Sequence, residues 1–214
     1  IVWTIVKREL TSYFSSPVGI THFSGGGGGL VQALLKDLST GAVTPLQTRT
    51  GEADPVDFVS SDNPVFSPDG TKVAFESTAR LIPGGPGGTW NVYVKDLSPA
   101  GNGAVSLIST SATGAFGNNN SLSSSYKVGW SADGNKIAFN SDASNLVASD
   151  TNGISDIFVK TITGPGAGNI VRVTTAADGT QANGISFDAT FSPDGNWVVF
   201  YSAASNLVAG DNNG

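Results

Sequence analysis

One pattern of apolar and polar positions occurs three times along the chain. It reads FSPDGTKVAF at 66–75, WSADGNKIAF at 130–139 and FSPDGNWVVF at 191–200. In each copy an aromatic residue ends one apolar run, a Ser-Pro/Ala-Asp-Gly turn follows, and alternating apolar residues begin the next run. Because alternation with period two is typical of a half-buried strand, each copy predicts a β-hairpin. The glycine of each turn supplies the positive φ angle that such a turn requires.

Two further strand patterns follow each of the first two hairpins. They lie at 90–97 and 104–109, and at 155–162 and 170–175. No equivalent pair follows the third hairpin before residue 214, but a matching pair occurs at 32–38 and 43–48. Pro45 lies in the last of these segments, which suits an edge strand because proline cannot donate to a ladder.

The repeats therefore form three four-stranded units, and the third unit is divided between the two ends of the sequence. The blades of a β-propeller are four-stranded sheets, and joining N-terminal strands to a C-terminal hairpin is a way of closing the ring. We predict an all-β protein with three propeller blades per chain over residues 30–214.

Three blades are too few for a ring, because propellers contain about 4–8 of them. We expect two copies to join head to tail into a six-bladed ring, each C-terminal hairpin accepting strands 30–48 of its partner. Two alternatives remain open, namely that the chain is a piece of a longer propeller or that it forms an open filament by strand addition.

The first 29 residues differ in composition from the repeats. Apolar residues of 1–14 recur at helical spacing and predict a short amphipathic helix, whereas IVWTIV at 1–6 equally suits a strand. The five consecutive glycines at 25–29 are typical of a flexible linker. We therefore divide the chain into an atypical segment at 1–24, which is a candidate fusion, the linker at 25–29 and the blade region at 30–214.

The repeat motifs resemble those of the TolB-like, WD-type branch of β-propellers over residues 30–214. The markers are FSPDG with VAF, SNLVASDTNGISDIFVK at 144–160, and SNLVAGDNNG at 205–214. The resemblance implies a propeller that acts through protein partners in the bacterial envelope, so we expect an extracellular or periplasmic location. The first 20 residues, with VKRELTSYFSSPVG, are similar to the N-terminus of ABC-type export permeases.

Composition removes several classes of chemistry. The chain has no Cys, one His and a net charge of −6, with only 11 Lys and Arg. Thiolate catalysis, zinc-thiolate sites and binding to a phosphate backbone are therefore not expected. From the charge we expect no nucleic-acid partner. No apolar run approaches the roughly 18 residues of a membrane-spanning helix, so we also expect no membrane span.

The segment DTNGISD at 150–156 is the candidate metal site. Asp150, Asn152 and Asp156 bear side-chain oxygens around the turn at Gly153, and such oxygens suit a hard cation such as Ca²⁺. The alternative is that Asp150 and Asn152 form Asx turns and that Asp156 accepts backbone hydrogen bonds at the start of a strand.

No set of residues with catalytic spacing is apparent. Glu52, Asp54 and Asp57 lie in one loop that is typical of a solvated surface, and His22 has no evident partner. We therefore expect a non-catalytic scaffold for protein interaction or self-assembly, with Ca²⁺ as a candidate stabilising ion. The alternatives are a structural filament or engineered half-propeller that assembles by strand exchange, and a carbohydrate-active propeller enzyme.

Overall fold

The computed structural model describes residues 3–9, 31–47, 60–122 and 127–211. The predicted linker at 25–29, His22 and the acidic loop at 52–57 lie outside these residues.

The described residues form thirteen strands. They are β1 Trp3–Glu9, β2 Val31–Asp37, β3 Val43–Pro45, β4 Ser61–Phe66, β5 Lys72–Ser77, β6 Asn91–Asp96, β7 Val105–Leu107, β8 Gly129–Trp130, β9 Lys136–Ser141, β10 Asp156–Thr161, β11 Ile170–Arg172, β12 Ser186–Phe191 and β13 Val198–Ser202. All pairings are antiparallel, which confirms the all-β prediction. Within this part of the chain no helix has the length and apolar character needed to cross a membrane.

Two sheets are complete four-stranded meanders, with the orders β4-β5-β6-β7 and β8-β9-β10-β11. They contain the first two predicted hairpins, each followed by its predicted second pair of strands. The third hairpin forms a two-stranded sheet, β12-β13, and the N-terminal strands form a separate sheet of order β1-β2-β3. Pro45 lies on the edge strand β3, as predicted.

The four sheets pack face to face in chain order. Successive side chains of an inner strand point to opposite faces of its sheet, so one strand contributes to the packing on both sides. On β5, Val73 and Phe75 pack towards the first sheet, whereas Ala74 packs towards the third. On β9, Phe139 packs towards the second sheet and Ala138 towards the fourth. A complete sheet is thus apolar on both faces and buries both of them, as a propeller blade does.

Two lysines hold neighbouring sheets together. Lys95 of β6 donates from Nζ to the carbonyl of Leu46 at 3.0 Å. Lys160, at the equivalent position of β10, donates to the carbonyls of Thr110 at 2.6 Å and Ser111 at 3.0 Å. Burial lowers the pKa of both ammonium groups. Each lysine therefore joins its own sheet to the end of the outer strand of the preceding sheet.

The N-terminal segment contributes one described strand. Of the two alternatives for residues 1–14, the strand is correct for Trp3–Glu9. This strand pairs with β2 along its whole length. In the complete sheets the equivalent edge of β6 or β10 is occupied by β5 or β9. The predicted pairing of β2 with the C-terminal hairpin is therefore not made within one chain.

The repeated turns have the predicted geometry. Gly70, Gly134 and Gly195 have φ angles of 69°, 69° and 71°. Asp69 accepts hydrogen bonds from the Ser67 hydroxyl at 2.6 Å and from the Thr71 amide at 3.0 Å. The other two turns repeat this arrangement, so these aspartates stabilise turns and do not form a shared acidic site.

We predict that the stabilising effect of Asp69 depends on pH. Its hydrogen bonds to Ser67 and Thr71 lower the carboxyl pKa from 3.8 to about 2. Asp69→Ala should therefore unfold at lower urea concentration than the parent at pH 7. A carboxyl with a depressed folded-state pKa loses its stabilising effect as pH falls from the unfolded value through the folded value. The difference in midpoint should shrink between about pH 4 and pH 2, and a constant difference would contradict this assignment.

Candidate functional site

The structure brings the three predicted metal ligands together at the start of β10, but it places a cation from β11 among them. Arg172 Nη1 lies 3.2 Å from Asp150 Oδ1 and 3.8 Å from Asp156 Oδ2. Asn152 donates from Nδ2 to Asp156 Oδ2 at 2.8 Å. The exposed fraction of the side chain is 9% for Arg172, 4% for Asp150 and zero for Asp156. Two carboxylates that are almost fully removed from water therefore share the single positive charge of one guanidinium.

Further polar groups complete this buried cluster. The Thr174 hydroxyl donates to Asp156 Oδ1, and Arg172 Nη1 donates to Gln181 Oε1 at 2.9 Å. The Gln181 amide in turn donates to the carbonyl of Ser149 at 2.6 Å and to the Thr151 hydroxyl at 2.9 Å. These bonds tie the loop before β10 to the chain that follows β11.

Asp150 is the least favourably placed charge of the cluster. Burial raises its carboxyl pKa, the neighbouring charge of Asp156 adds to the effect, and Arg172 opposes it. Two buried carboxylates beside one guanidinium repel each other, so the ionised form of Asp150 depends on Arg172. Removing Arg172 would leave an uncompensated pair of acids.

The geometry bears directly on the calcium hypothesis. Ca²⁺ takes six to eight oxygen ligands. Asn152 turns its amide nitrogen towards Asp156, and its Oδ1 accepts the Ile154 amide at 3.3 Å, as in the predicted Asx turn. No group of three or more acidic, His or Cys side chains suited to a metal occurs among the described residues. For Ca²⁺ to bind here, Arg172 would have to withdraw and the Asn152 amide would have to rotate.

Arg172 is the functional residue that the sequence analysis missed. In the repeat alignment it replaces Leu107 of the preceding blade, because Phe158 pairs with Arg172 as Tyr93 pairs with Leu107. In that blade the position of Asp156 is occupied by Asn91, whose Oδ1 accepts the Ser109 hydroxyl at 2.9 Å. A charged residue at an otherwise apolar outer-strand position was the available signal for an ion pair.

A second candidate site is the open side of the fourth sheet. Trp197, Val199 and Tyr201 are 74%, 65% and 65% exposed, and no described strand pairs with the outer edge of β13. At the position of Val199 the complete sheets have Ala74 and Ala138, both fully buried. In these sheets the next strand and the next sheet cover this position.

A polar cleft of about 180 Å³ lies between the third and fourth sheets. It is lined by Asn120, Leu122, Asn140, Asp142, Ser155, Ile185, Ser186 and Phe187. Asp142 is the single carboxylate among these residues. The described lining residues thus include no pair of a carboxylate with a second titratable group.

We predict that Arg172→Met lowers the free energy of unfolding by about 3–5 kcal/mol, because it breaks a buried pair and leaves the carboxylates unpaired. The measurement is urea unfolding at pH 7. Arg172→Met combined with Asp150→Asn should recover part of the loss, since one of the two repelling charges is removed. A single variant as stable as the parent would contradict the assigned role of Arg172.

We predict that millimolar Ca²⁺ raises the melting temperature of Arg172→Met more than that of the parent. The substitution removes the cation that competes for Asp150 and Asp156, and a ligand that binds the folded state stabilises it. Scans with CaCl₂ and with EGTA provide the comparison. Equal shifts in the two proteins would show that Ca²⁺ does not act at this cluster.

Comparisons with known proteins give similarity at the level of structure. No family model matches the chain, and no curated protein matches it. The chain is similar to TolB from Acinetobacter baumannii, with 21% identity and a TM-score of 0.47 over 83% of this chain and 33% of that chain. It is also similar to Porphyromonas gingivalis dipeptidyl peptidase 4, with 15% identity and a TM-score of 0.49 over 86% of this chain and 27% of that chain.

The chain thus spans about a third or less of the length of either structure. None of the comparisons supports the resemblance of the first 20 residues to export permeases. Two of the four described sheets are complete four-stranded antiparallel meanders, the four sheets pack face to face in chain order, and this is the architecture of β-propeller blades.

Proposed function

We propose that the chain is a non-catalytic β-propeller scaffold that associates with a second copy of itself through the open edge of β13. The observation that carries the proposal is the apolar, solvent-exposed face of this strand, with no described strand along its outer edge. An unpaired edge presents a row of amides and carbonyls that accept another strand. Strand addition to such an edge is a known mode of protein association.

The repeats define the register of this association. Lys72 pairs with Asp96 in the second sheet, and Asp96 corresponds to Asp37 of β2. The residue equivalent to Lys72 in the third repeat is Trp197. Applying the same register to two copies places Trp197 opposite Asp37 of the partner, and Val199 opposite Leu35. Two residues further along, Tyr201 lies opposite Ala33.

The faces of the two strands agree with this register. Residues directly opposite each other in an antiparallel pair point to the same face. Leu35 and Ala33 are buried against the second sheet, in a cluster that includes Phe75. Val199 and Tyr201 would therefore join this apolar cluster of the partner, and their present exposure would be removed.

The lysine contacts between sheets support the same arrangement. Lys36 of β2 is equivalent to Lys95 and Lys160, each of which reaches the preceding sheet. The first sheet has no preceding sheet among the described residues. In the assembled ring, Lys36 would face the segment that follows β11 of the partner.

Two copies with three blades each give a six-bladed ring, and non-closing contacts of the same kind would give a filament. The loops around the ring would bind a further protein partner, with Ca²⁺ as a candidate stabilising ion.

We place the protein outside the cytoplasm, in the extracellular space or the periplasm. The resemblance of its repeats to those of TolB-like propellers supports this location. The polar cleft with one carboxylate favours binding over catalysis.

We predict that Val199→Asp weakens self-association at least 10-fold. Burying a Val side chain contributes about 1.5–3 kcal/mol, and each 1.4 kcal/mol changes an affinity about tenfold. Sedimentation equilibrium over a range of concentrations measures the effect. The parent should approach about 43 kDa, which is twice the chain mass of 21.7 kDa.

Two variants serve as controls for this measurement. Val199→Ile keeps a β-branched apolar residue at the position, and Phe116→Asp places the same charge on an exposed aromatic residue in the segment after β7. Both should associate like the parent. A parent that stays at 21.7 kDa at every concentration would count against self-association of the intact chain, and masses that increase without limit would favour the filament over the ring.

A further inference from the structure

We infer that β1 occupies the assembly edge of β2 in place of β13 from a second copy, so that the two strands compete for one edge. This inference rests on the proposed function and adds a means by which the chain controls its own association. The edge in question is the side of β2 along which β1 now pairs.

The register of β1 is the register that assembly requires. Trp3 lies opposite Asp37, Ile5 opposite Leu35 and Lys7 opposite Ala33. These are the same three partners that the repeats assign to β13 of a second copy. A slip of one residue would exchange the two faces of the strand, so agreement in register is a specific match.

The two strands are also similar in sequence along this register. The segment WTIVK at 3–7 aligns with WVVFY at 197–201. Both begin with Trp, continue with two β-branched residues and then have an apolar residue. Both therefore have a strand-forming pattern for the same half-buried position beside β2.

An edge of a strand can form only one ladder at a time. The pairing of β1 with β2 is intramolecular, so it does not weaken on dilution, whereas pairing with β13 of a second copy does. We therefore expect β1 to raise the concentration at which the ring forms. Displacement of β1 would release β2 for assembly.

The first experiment weakens β1 without deleting it. Ile5→Pro combined with Val6→Pro places proline at two adjacent positions, and because amides of a strand alternate in direction, one of the two must face β2. The matched control exchanges the same residues as Ile5→Val with Val6→Ile. Sedimentation equilibrium should give a dimer dissociation constant at least 10-fold lower for the proline variant than for the control.

Adding Val199→Asp to the proline variant should abolish the gain, because the released edge of β2 would then have no apolar partner on β13. An unchanged dissociation constant in the proline variant would overturn the competition, while dimerisation that depends on Val199 would still support the proposed function. A chain that remains monomeric in all variants would refute both.

The second experiment uses disulfides and does not depend on the folding of the proline variant. The chain contains no Cys, so every introduced thiol is unique. Thr4 lies opposite Lys36 in this chain, and the repeats place Val198 of a second copy opposite the same residue. Directly opposite residues in an antiparallel pair have a Cα separation suited to a disulfide.

Lys36→Cys with Thr4→Cys should give a monomer under oxidising conditions that regains association after reduction by dithiothreitol. Lys36→Cys with Val198→Cys should give a disulfide-linked dimer, and more of it when the two prolines are present in β1. If the oxidised Thr4 variant associates as readily as its reduced form, β1 does not compete with a second copy for the edge of β2. If the oxidised Thr4 variant stays monomeric but the Val198 variant forms no disulfide-linked dimer, competition with β13 is refuted.

Discussion

The proposed association depends on one feature of the fold, which is that no described strand pairs with the outer edge of β13. Each blade is a sheet whose faces are both apolar, and a blade becomes stable when its neighbours cover both faces and its strands are paired. The two central sheets meet this condition within the chain, whereas β12 and β13 form a hairpin with Val199 and Tyr201 exposed. A two-stranded sheet is only marginally stable by itself. The proposed association with a second copy would pair this edge and cover these two side chains.

The third sheet buries charged side chains at the start of β10. Asp150 and Asp156 lie almost without solvent contact, and Arg172 lies within 4 Å of both. Burying charges costs free energy, and their mutual attraction with additional hydrogen bonds offsets that cost. Gln181 and Thr174 provide such bonds, and the Gln181 amide also connects the loop before β10 to the segment after β11. The cluster therefore has a sufficient structural explanation in the ion pair, and the calcium hypothesis is a separate proposal.

The sequence predicts the blades well because the pattern that defines them is local. Alternating apolar residues and the Asp-Gly turn determine each hairpin within about ten residues, and the turn glycines have the expected positive φ angles. Contacts between distant segments are harder to predict. Arg172 reaches Asp150 across 22 positions of sequence (172 − 150), and the repeat spacing gives no direct sign of this pairing. Similarly, WTIVK suits a strand, but the pattern by itself does not specify pairing with β2.

Hydrogen exchange of the β13 backbone amides tests the central claim most directly, because it observes the open edge itself. The amides of β5 and β9, which are paired on both sides, provide internal references. We expect alternate amides of β13 to exchange quickly at low protein concentration and to become protected as concentration rises. The edge amides of β2 should stay protected throughout, by β1 in the monomer and by β13 of the partner in the ring. Fast exchange of these β13 amides at all concentrations, with β5 and β9 protected, would contradict strand exchange between copies.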